Sequence, residues 1–306
     1  MNFTFEPATK EEAKARVALT GPSGAGKTYT ALSLATNLGQ NVAVIDTERG
    51  SASKYRKLFS FNRLNLQSFE PNTLVQALAA AAHQGHDVVV VDSLTHFWSG
   101  TGGMLEQVDS AAKRGYGGNS FGGWKEARPQ ERAMIDALVS YPGHVIVTMR
   151  SKTDYVIEED QRGRKVPRKV GLKPEQREGI EYEFDVVGDL DHENTLVITK
   201  SRIPAISGRV IPKPGADLAA EIAEWLSDGE PSPDALHYRD MAIDLHATRE
   251  DLSQVAAEVK AKGLLGAAVV DEHGDVSSLG DLIRRRWKET VPPAASEEKQ
   301  TEAGAA

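Results

Sequence analysis

The chain has 306 residues, of which 40% are hydrophobic, and a formal net charge of −8 from 36 basic and 44 acidic side chains. This balance excludes a uniformly basic protein that coats nucleic acid, and the absence of cysteine excludes disulfides and thiolate metal sites. The charge is unevenly spread, because residues 1–229 carry 27 basic and 29 acidic side chains and residues 230–306 carry 9 and 15. The acidic excess lies mainly in the last quarter of the chain and does not exclude a basic surface elsewhere.

Short β-rich runs alternate with helical patterns over residues 16–149. The predicted strands are Arg16–Thr20, Asn41–Asp46, Asp87–Asp92 and His144–Met149, and the predicted helices are Lys27–Leu38, Pro71–His83 and Glu131–Ser140. Consecutive valines in the third strand are typical of a strand that is buried on both faces. The alternation predicts an α/β fold in which a central, mostly parallel sheet lies between helices.

The pattern changes after residue 150. Two short strands separated by a glycine-containing turn at residues 160–164 predict a β-hairpin. The predicted elements of this region are the hairpin strands Asp154–Glu159 and Lys165–Val170, the strands Tyr182–Asp189 and Thr195–Lys200, and the helix Ala216–Leu226.

Prolines 231 and 233 predict a linker, because proline prevents helix continuation. The composition of the last segment, rich in alanine and glutamate, is typical of disorder. The predicted organisation is a large domain over residues 1–229, a linker at 230–233, a small and mainly helical domain at 234–290, and a disordered tail at 291–306.

No apolar run reaches the roughly 18 residues that a membrane helix needs, and the N-terminus has no apolar signal-peptide core. With the lack of cysteine, this predicts a soluble protein of the cytoplasm. The eight histidines are scattered without the spacing of metal ligands, so the sequence predicts no structural metal.

The motif G-x-x-x-x-G-K-[ST] is matched in full between the first predicted strand and the first predicted helix. Its residues are Gly21, Pro22, Ser23, Gly24, Ala25, Gly26, Lys27 and Thr28. In this motif the glycines let backbone N–H groups cradle phosphate oxygens, the lysine reaches the β- and γ-phosphates, and the hydroxyl binds Mg²⁺. The alternative is a glycine-rich turn, but the motif and both flanking elements agree on a site for ATP and Mg²⁺.

Carboxylates lie at the ends of two predicted strands. Asp92 ends the valine-rich strand, where P-loop NTPases place a second, acidic contact to Mg²⁺, although a strand-end cap is the alternative. The next residue is Ser93, so a glutamate base directly after this acid is missing. Glu48, just beyond strand Asn41–Asp46, is the candidate base that orients the attacking water.

Residues 1–215 resemble the RecA-like ATPases in the segments VIDTERGSASKY (residues 44–55) and DVVVVDSL (residues 87–94). The closer similarity is to the RecA-like ATPases of bacteriophages, usually labelled AAA-family ATPases or nucleotide-binding proteins, some of which are single-strand-annealing recombinases. Segments typical of that group lie at residues 171–174, 179–185, 188–191 and 198–202. The resemblance implies that Glu48 is the catalytic base and that Tyr55, seven residues later, packs against adenine.

The same resemblance implies two further roles. RecA-like proteins place paired basic residues of a late strand against the ATP of the neighbouring subunit, and Lys200 and Arg202 match them; a solvated strand-edge pair is the alternative. RecA proteins also end the strand equivalent to His144–Met149 with a γ-phosphate-sensing glutamine, whereas this chain has Met149 and Arg150. This departure implies that Arg150 senses phosphate instead, or that nucleotide and DNA are coupled differently.

Two segments lie where RecA-like proteins carry their DNA loops. Residues 100–124 are predicted as a mobile loop with eight glycines, whose cations and aromatic rings suit stacking on single-stranded bases: Lys113, Arg114, Tyr116, Phe121 and Trp124. The hairpin is predicted to contact phosphates through Arg162, Arg164, Lys165, Arg168 and Lys169. The alternatives are an ordinary loop with locally packed rings and a solvated, charged hairpin.

The sequence thus predicts a Mg²⁺-dependent ATPase that binds single-stranded DNA as a homo-oligomeric ring or filament. Its predicted role is phage recombination or replication, in the host cytoplasm if the chain is phage-encoded, with a protein partner for the small domain. The alternatives are a DNA motor or loader, a nucleotide-gated binding protein with little turnover, and a small-molecule kinase. A kinase would need a lid helix where the chain predicts a hairpin.

Overall fold

The computed structural model describes residues 12–115, 117–159 and 165–290, and the side chains of 153–159 and 165–172 lie outside that description. The strands of the described part are β1 (Arg16–Gly21), β2 (Val42–Asp46), β3 (Asn62–Asn65), β4 (Val88–Asp92), β5 (His144–Glu159), β6 (Lys165–Pro174), β7 (Val186–Leu190), β8 (Thr195–Ser201), β9 (Val210–Pro212), β10 (Ala268–Val270) and β11 (Val276–Ser278). Its helices are α1 (Lys27–Leu38), α2 (Pro71–His83), α3 (His96–Ser99), α4 (Met104–Gly115), α5 (Ser120–Val139), α6 (Ala216–Ser227), α7 (Ala235–Ile243), α8 (Arg249–Ala261) and α9 (Leu279–Glu289).

One large sheet organises the fold, with the strand order β3-β2-β4-β5-β1-β7-β8-β9 and with β6 paired to β5 alone. From β3 to β7 the neighbours run parallel, and β8 and β9 add an antiparallel edge. Parallel strands point to the same edge, so the last residues of β1, β2 and β4 meet there with Arg150, where β5 stops pairing with β1. The predicted α/β class with a mostly parallel sheet is confirmed.

Helices cover both faces of this sheet. One core contains Leu32 of α1 and Ile222 of α6, and the other contains Leu78 of α2 and Met134 of α5. The four valines of β4 are fully buried and alternate between the two cores. This is the burial that the valine run predicts, because successive side chains of a strand point to opposite faces.

The strand β5 is longer than predicted. It runs unbroken from residue 144 to 159, so the predicted strands His144–Met149 and Asp154–Glu159 are one strand that leaves the sheet and pairs with β6. The predicted turn at 160–164 lies outside the described residues. The predicted strand Tyr182–Asp189 begins only at Val186, because residues 180–183 form a 3₁₀ turn.

The prediction of a mobile glycine-rich loop at residues 100–124 is wrong for most of that segment, which folds as α4 and the start of α5. Asn119 caps α5 by accepting a hydrogen bond from the Phe121 N–H at 3.0 Å. Gly123 allows the two helices to pack closely, since a Cβ there would lie 2.3 Å from the Val108 carbonyl oxygen. Gly123 therefore permits close helix packing. The glycine content of a segment does not distinguish this role from the flexibility of a loop.

The C-terminal elements α7, α8, α9, β10 and β11 have a core of their own, which includes Tyr238, Val255 and Leu282. Leu236 and Ala268 of this part also pack against the core beneath α2 and α5. The division at 230–233 stays a prediction, and the predicted tail lies outside the described residues. Among the helices of the described part, none has the length and apolar character needed to cross a membrane.

Candidate active site

The phosphate-binding motif forms the turn from β1 into α1, with Gly26 as the residue before the helix. Gly26 has φ 81°. A Cβ there would lie 2.6 Å from the Asn194 side-chain nitrogen. The backbone conformation therefore requires glycine, as the motif implies, and a side chain there would also have to displace the Asn194 amide. The turn points the first N–H groups of α1 into a cavity of about 640 Å³ at the carboxyl edge of the sheet.

Lys27 bends back over this turn. Its Nζ donates hydrogen bonds to the carbonyl oxygens of Gly21 and Pro22, at 2.9 and 2.8 Å. Burial lowers the pKa of Lys27, and the negative charges of Asp92 and Glu48 oppose that shift. The ammonium group is thus held beside the cradle, where phosphate oxygens can replace the two carbonyl acceptors.

Thr28, in the first turn of α1, meets Asp92 at the end of β4. The Thr28 hydroxyl donates to Asp92 Oδ2 at 2.8 Å, and the Thr148 hydroxyl of β5 donates to Oδ1 at 2.5 Å. Asp92 is 2% exposed, and burial raises its pKa while the two hydroxyl hydrogen bonds oppose the shift. A hydroxyl and a carboxylate at this spacing are the oxygen donors that Mg²⁺ prefers, so Thr28 and Asp92 fit the ion. These two residues would hold the ion, which would neutralise negative charge on a bound nucleoside triphosphate.

Glu48 lies at the end of β2 and faces Arg150 at the end of the sheet-forming part of β5. Arg150 Nη2 lies 2.8 and 3.0 Å from the two Glu48 oxygens, and Nε lies 3.2 Å from Oε1. The backbone N–H of Glu48 donates to Asp46 Oδ1 at 2.8 Å, which fixes the turn after the strand. The candidate base is therefore at the phosphate end of the cavity, but in an ion pair.

His96 supports this corner of the site. Its Nδ1 lies 2.6 Å from the Thr47 hydroxyl oxygen, and its Nε2 lies 4.0 Å from Glu48 Oε1. Burial lowers the pKa of His96, the charge of Arg150 lowers it further, and Glu48 opposes both. Sequence reasoning missed His96 and Thr148. Thr148 could be found as a polar residue near the end of a buried strand, whereas His96 follows a turn and carries no such signal.

Tyr55 ends a 3₁₀ turn at Ala52–Tyr55 and lines the nucleotide cavity together with Ser51. Its ring packs edge-on against Tyr29, with ring centroids 5.7 Å apart, and Tyr29 packs in the same way on Phe59 at 5.2 Å. Tyr55, supported from behind by these rings, is the aromatic residue that lines the cavity, and it offers the planar base of a nucleotide a surface to pack on. Contact between Tyr55 and adenine stays a prediction.

A second cavity, of about 750 Å³, lies on the other side of the Glu48–Arg150 pair. Both residues line both cavities, so the ion pair forms part of the wall between them. The lining of the second cavity also includes Arg49, Arg63 and His96.

Lys200 and Arg202 lie at the opposite edge of the sheet from the phosphate turn. Because β8 runs antiparallel to β7, Ser201 pairs with Val186 near the start of β7, and Val186 pairs with Val17 near the start of β1. Lys200 donates to the carbonyls of residues 181, 182 and 184, and Arg202 pairs with Asp185 at 3.2 Å. Neither can reach the nucleotide site of its own chain, and action on a neighbour's site stays a prediction.

The predicted DNA contacts are only partly within the described residues. Arg162 and Arg164 lie outside them, and Lys165, Arg168 and Lys169 are described by their backbone alone, on β6. Lys113 and Arg114 lie in the last turn of α4 and not in a loop. The Arg114 guanidinium donates to Glu126 at 2.9 Å.

A cavity of about 1130 Å³ runs along α5. Phe121, Trp124, Lys125, Arg128 and Arg132 line it. Their spacing of three, four, seven and eleven residues puts these side chains on one face of the helix. The Phe121 ring is 86% exposed, and the rings of Trp124 and Trp98 lie 5.7 Å apart.

Acidic side chains share this cavity with the α5 cations. Of these acids, Glu131 and Glu183 pair with Arg177, at 3.6 and 2.9 Å. Arg177 thus offsets Glu131 and Glu183, whereas Asp136 and Glu178 also line the cavity. Lys125, Arg128 and Arg132 are exposed along the helix. Sequence reasoning did not single out these three cations, because it ended the predicted loop at Trp124 and began the predicted helix at Glu131.

The family model described as an AAA domain matches residues 13–211, about two thirds of the chain. A search among curated proteins found no match. The matched span contains the phosphate turn, the paired Thr28 and Asp92, Glu48 and Arg150. It ends at Ile211, before α6 and the C-terminal elements. The chain therefore belongs to the AAA domain family, whose members are nucleotide-binding ATPases.

Proposed function

We propose that this protein is a Mg²⁺-dependent ATPase that acts on single-stranded DNA as a homo-oligomer, in phage recombination or replication. The nucleotide part is supported by the geometry of Lys27, Thr28 and Asp92 at the end of β1 and β4. In the proposed cycle ATP binding favours assembly on DNA, water oriented by Glu48 attacks the γ-phosphate, and ADP-bound subunits release the strand.

The observation that carries the DNA part is the face of α5. It combines exposed cations with aromatic rings along one helix, in a cavity of about 1130 Å³. Single-stranded DNA is bound without sequence preference by this combination, because cations follow the phosphates and rings stack on bases. The sequence adds seven cations and one acid between residues 162 and 177, a span that includes the second strand of the β5–β6 hairpin and its continuation.

The placement of Lys200 and Arg202 supports the oligomer. They lie at the sheet edge opposite their own nucleotide site, so a role at ATP requires a second copy of the chain. A cation supplied by a neighbour would stabilise charge that develops on the transferred phosphoryl group. Hydrolysis would then depend on assembly.

A nucleotide-gated binding protein with little turnover is the second candidate. The pairing of Glu48 with Arg150 favours it, because a base whose two oxygens accept from a guanidinium does not orient water. A small-molecule kinase is disfavoured, since the chain after Met149 continues as the β5–β6 hairpin and not as a lid helix.

Equilibrium binding of a fluorescent oligothymidine, measured by anisotropy at low and high salt, tests the proposal. We expect salt-sensitive binding that tightens with a non-hydrolysable ATP analogue and Mg²⁺. The Lys27→Ala variant should keep the salt-sensitive binding and lose the effect of the nucleotide. Absence of binding at low salt, or binding that does not respond to salt, would contradict a role on single-stranded DNA.

A further inference from the structure

The Glu48–Arg150 pair spans the end of β4. In the strand order β2-β4-β5 the two residues come from strands that are not neighbours, so their side chains cross above Asp92. Three donor–acceptor distances of 2.8, 3.0 and 3.2 Å engage both oxygens of Glu48. In this arrangement both oxygens of the carboxylate accept hydrogen bonds from the guanidinium.

The backbone on either side of Arg150 is fixed. Arg150 pairs in register with Gly21 of β1, and its N–H donates to the Thr95 hydroxyl at 2.9 Å. Its carbonyl accepts from the Glu175 N–H at 2.7 Å. A change of partner by Arg150 is therefore a movement of the side chain alone.

The guanidinium has an alternative partner in the nucleotide cavity. Arg150 lines this cavity with Lys27 and Thr28, so the terminal phosphate of a bound triphosphate comes within its reach. Guanidinium binds phosphate as well as carboxylate through two parallel hydrogen bonds, and a terminal phosphate carries more negative charge than one carboxylate. The side chains of Glu48 and Arg150 are 28% and 47% exposed, and an ion pair so exposed is weak enough to exchange.

We propose that Arg150 is a positioning residue that holds Glu48 inactive until the terminal phosphate of a nucleoside triphosphate takes its guanidinium. A diphosphate has no group at that position and leaves the pair closed. Release of Glu48 then makes its oxygens available to a water beside the same phosphate. This inference rests on the proposed ATPase function and adds to it a reason why the base works only when ATP is bound.

A double-mutant cycle on nucleotide binding tests the exchange without hydrolysis. The dissociation constants of Mg²⁺–adenylyl-imidodiphosphate and Mg²⁺–ADP are measured by calorimetry for the wild type, Glu48→Ala, Arg150→Ala and the double variant. In Glu48→Ala, Arg150 no longer has to leave a partner before it binds phosphate. We therefore expect this variant to lower the dissociation constant of the triphosphate analogue by up to about fivefold, which corresponds to the free energy of one exposed ion pair. We expect no comparable change for ADP, and a smaller change when Arg150 is already alanine.

Simple charge repulsion gives the opposite pattern. If Glu48 only repels phosphate, its removal raises the affinity for the triphosphate analogue more when Arg150 is absent, because the arginine then no longer screens the carboxylate. The inference would be overturned if Glu48→Ala raised the affinity for the triphosphate analogue equally or more in the Arg150→Ala background. It would also be overturned if Glu48→Ala raised the affinity for ADP by the same factor. Arg150→Lys, which keeps the charge but not the two-pronged geometry, should give an intermediate preference for the triphosphate over ADP. If the wild-type protein bound neither nucleotide, the proposed nucleotide function would itself be contradicted, and the exchange of partners by Arg150 with it.

Discussion

Replacement of Phe121 by alanine tests the assignment of the α5 face as a single-strand binding surface. The ring is 86% exposed, so its removal takes little apolar surface out of the folded core and should leave the thermal midpoint almost unchanged. Stacking of one base on one aromatic ring is worth about 1–3 kcal/mol, and the loss of one such contact weakens binding by about 5- to 150-fold. The whole effect should therefore appear in DNA affinity and not in stability.

The assay is anisotropy of a labelled oligothymidine at fixed salt, with Leu245→Ala as the matched control. Leu245 is also 86% exposed but lies in the C-terminal part of the chain, so its removal should leave the affinity unchanged. In the same assay Lys125→Gln should lower the slope of log K against log salt by about 0.7, the value for one phosphate contact to a single strand. If Phe121→Ala binds DNA as tightly as Leu245→Ala, the α5 face does not stack on bases.

Three other predictions concern the base, the oligomer and the pH dependence of folding. Glu48→Gln should keep ATP binding and slow hydrolysis in a single-turnover assay, and normal hydrolysis would show that the base lies elsewhere. Arg202→Ala and Lys27→Ala should each hydrolyse ATP poorly, whereas a mixture should regain activity because one subunit supplies the phosphate turn and the other the arginine; a mixture with no gain would contradict action between subunits. Burial, followed by nearby positive charge, lowers the pKa of His144 to about 4, below its unfolded value near 6.5. Its contribution to stability is thus present above pH 6.5 and is lost as the pH falls to 4, by at most about 3 kcal/mol. His144→Asn should keep an acceptor for the Ala15 N–H. The free energy of unfolding of this variant, measured in urea, should depend less on pH between 4 and 6.5 than that of the wild type, with the exposed His192→Asn as control.

The phosphate turn and β4 could be predicted from sequence because their signals are local. The motif at residues 21–28 prescribes a strand, a turn and a helix in succession, and four valines before Asp92 prescribe a buried strand. The start of α5 could not be predicted in this way, because Gly122, Gly123 and Pro129 oppose a helix locally. Packing against α4 overrides that preference, since Gly123 is where the two helices touch.

The side-chain pairs of the site depend on strand order, which local pattern does not determine. Glu48 and Arg150 are far apart in sequence and meet because β4 separates β2 and β5 by only one strand. The position of Lys200 at the far edge depends likewise on the antiparallel pairing of β7 and β8. Sequence reasoning named Glu48, Arg150 and Lys200, but only the topology gives their partners.

The rate of ATP hydrolysis as a function of single-stranded DNA concentration, at low and high salt, tests the central claim most directly. That claim is that one chain joins an ATP site at the end of β1 and β4 to a single-strand surface along α5. We expect a low basal rate that rises with DNA at low salt, falls back at high salt, and is absent in Lys27→Ala. A rate that is the same with and without DNA at both salt concentrations would contradict it.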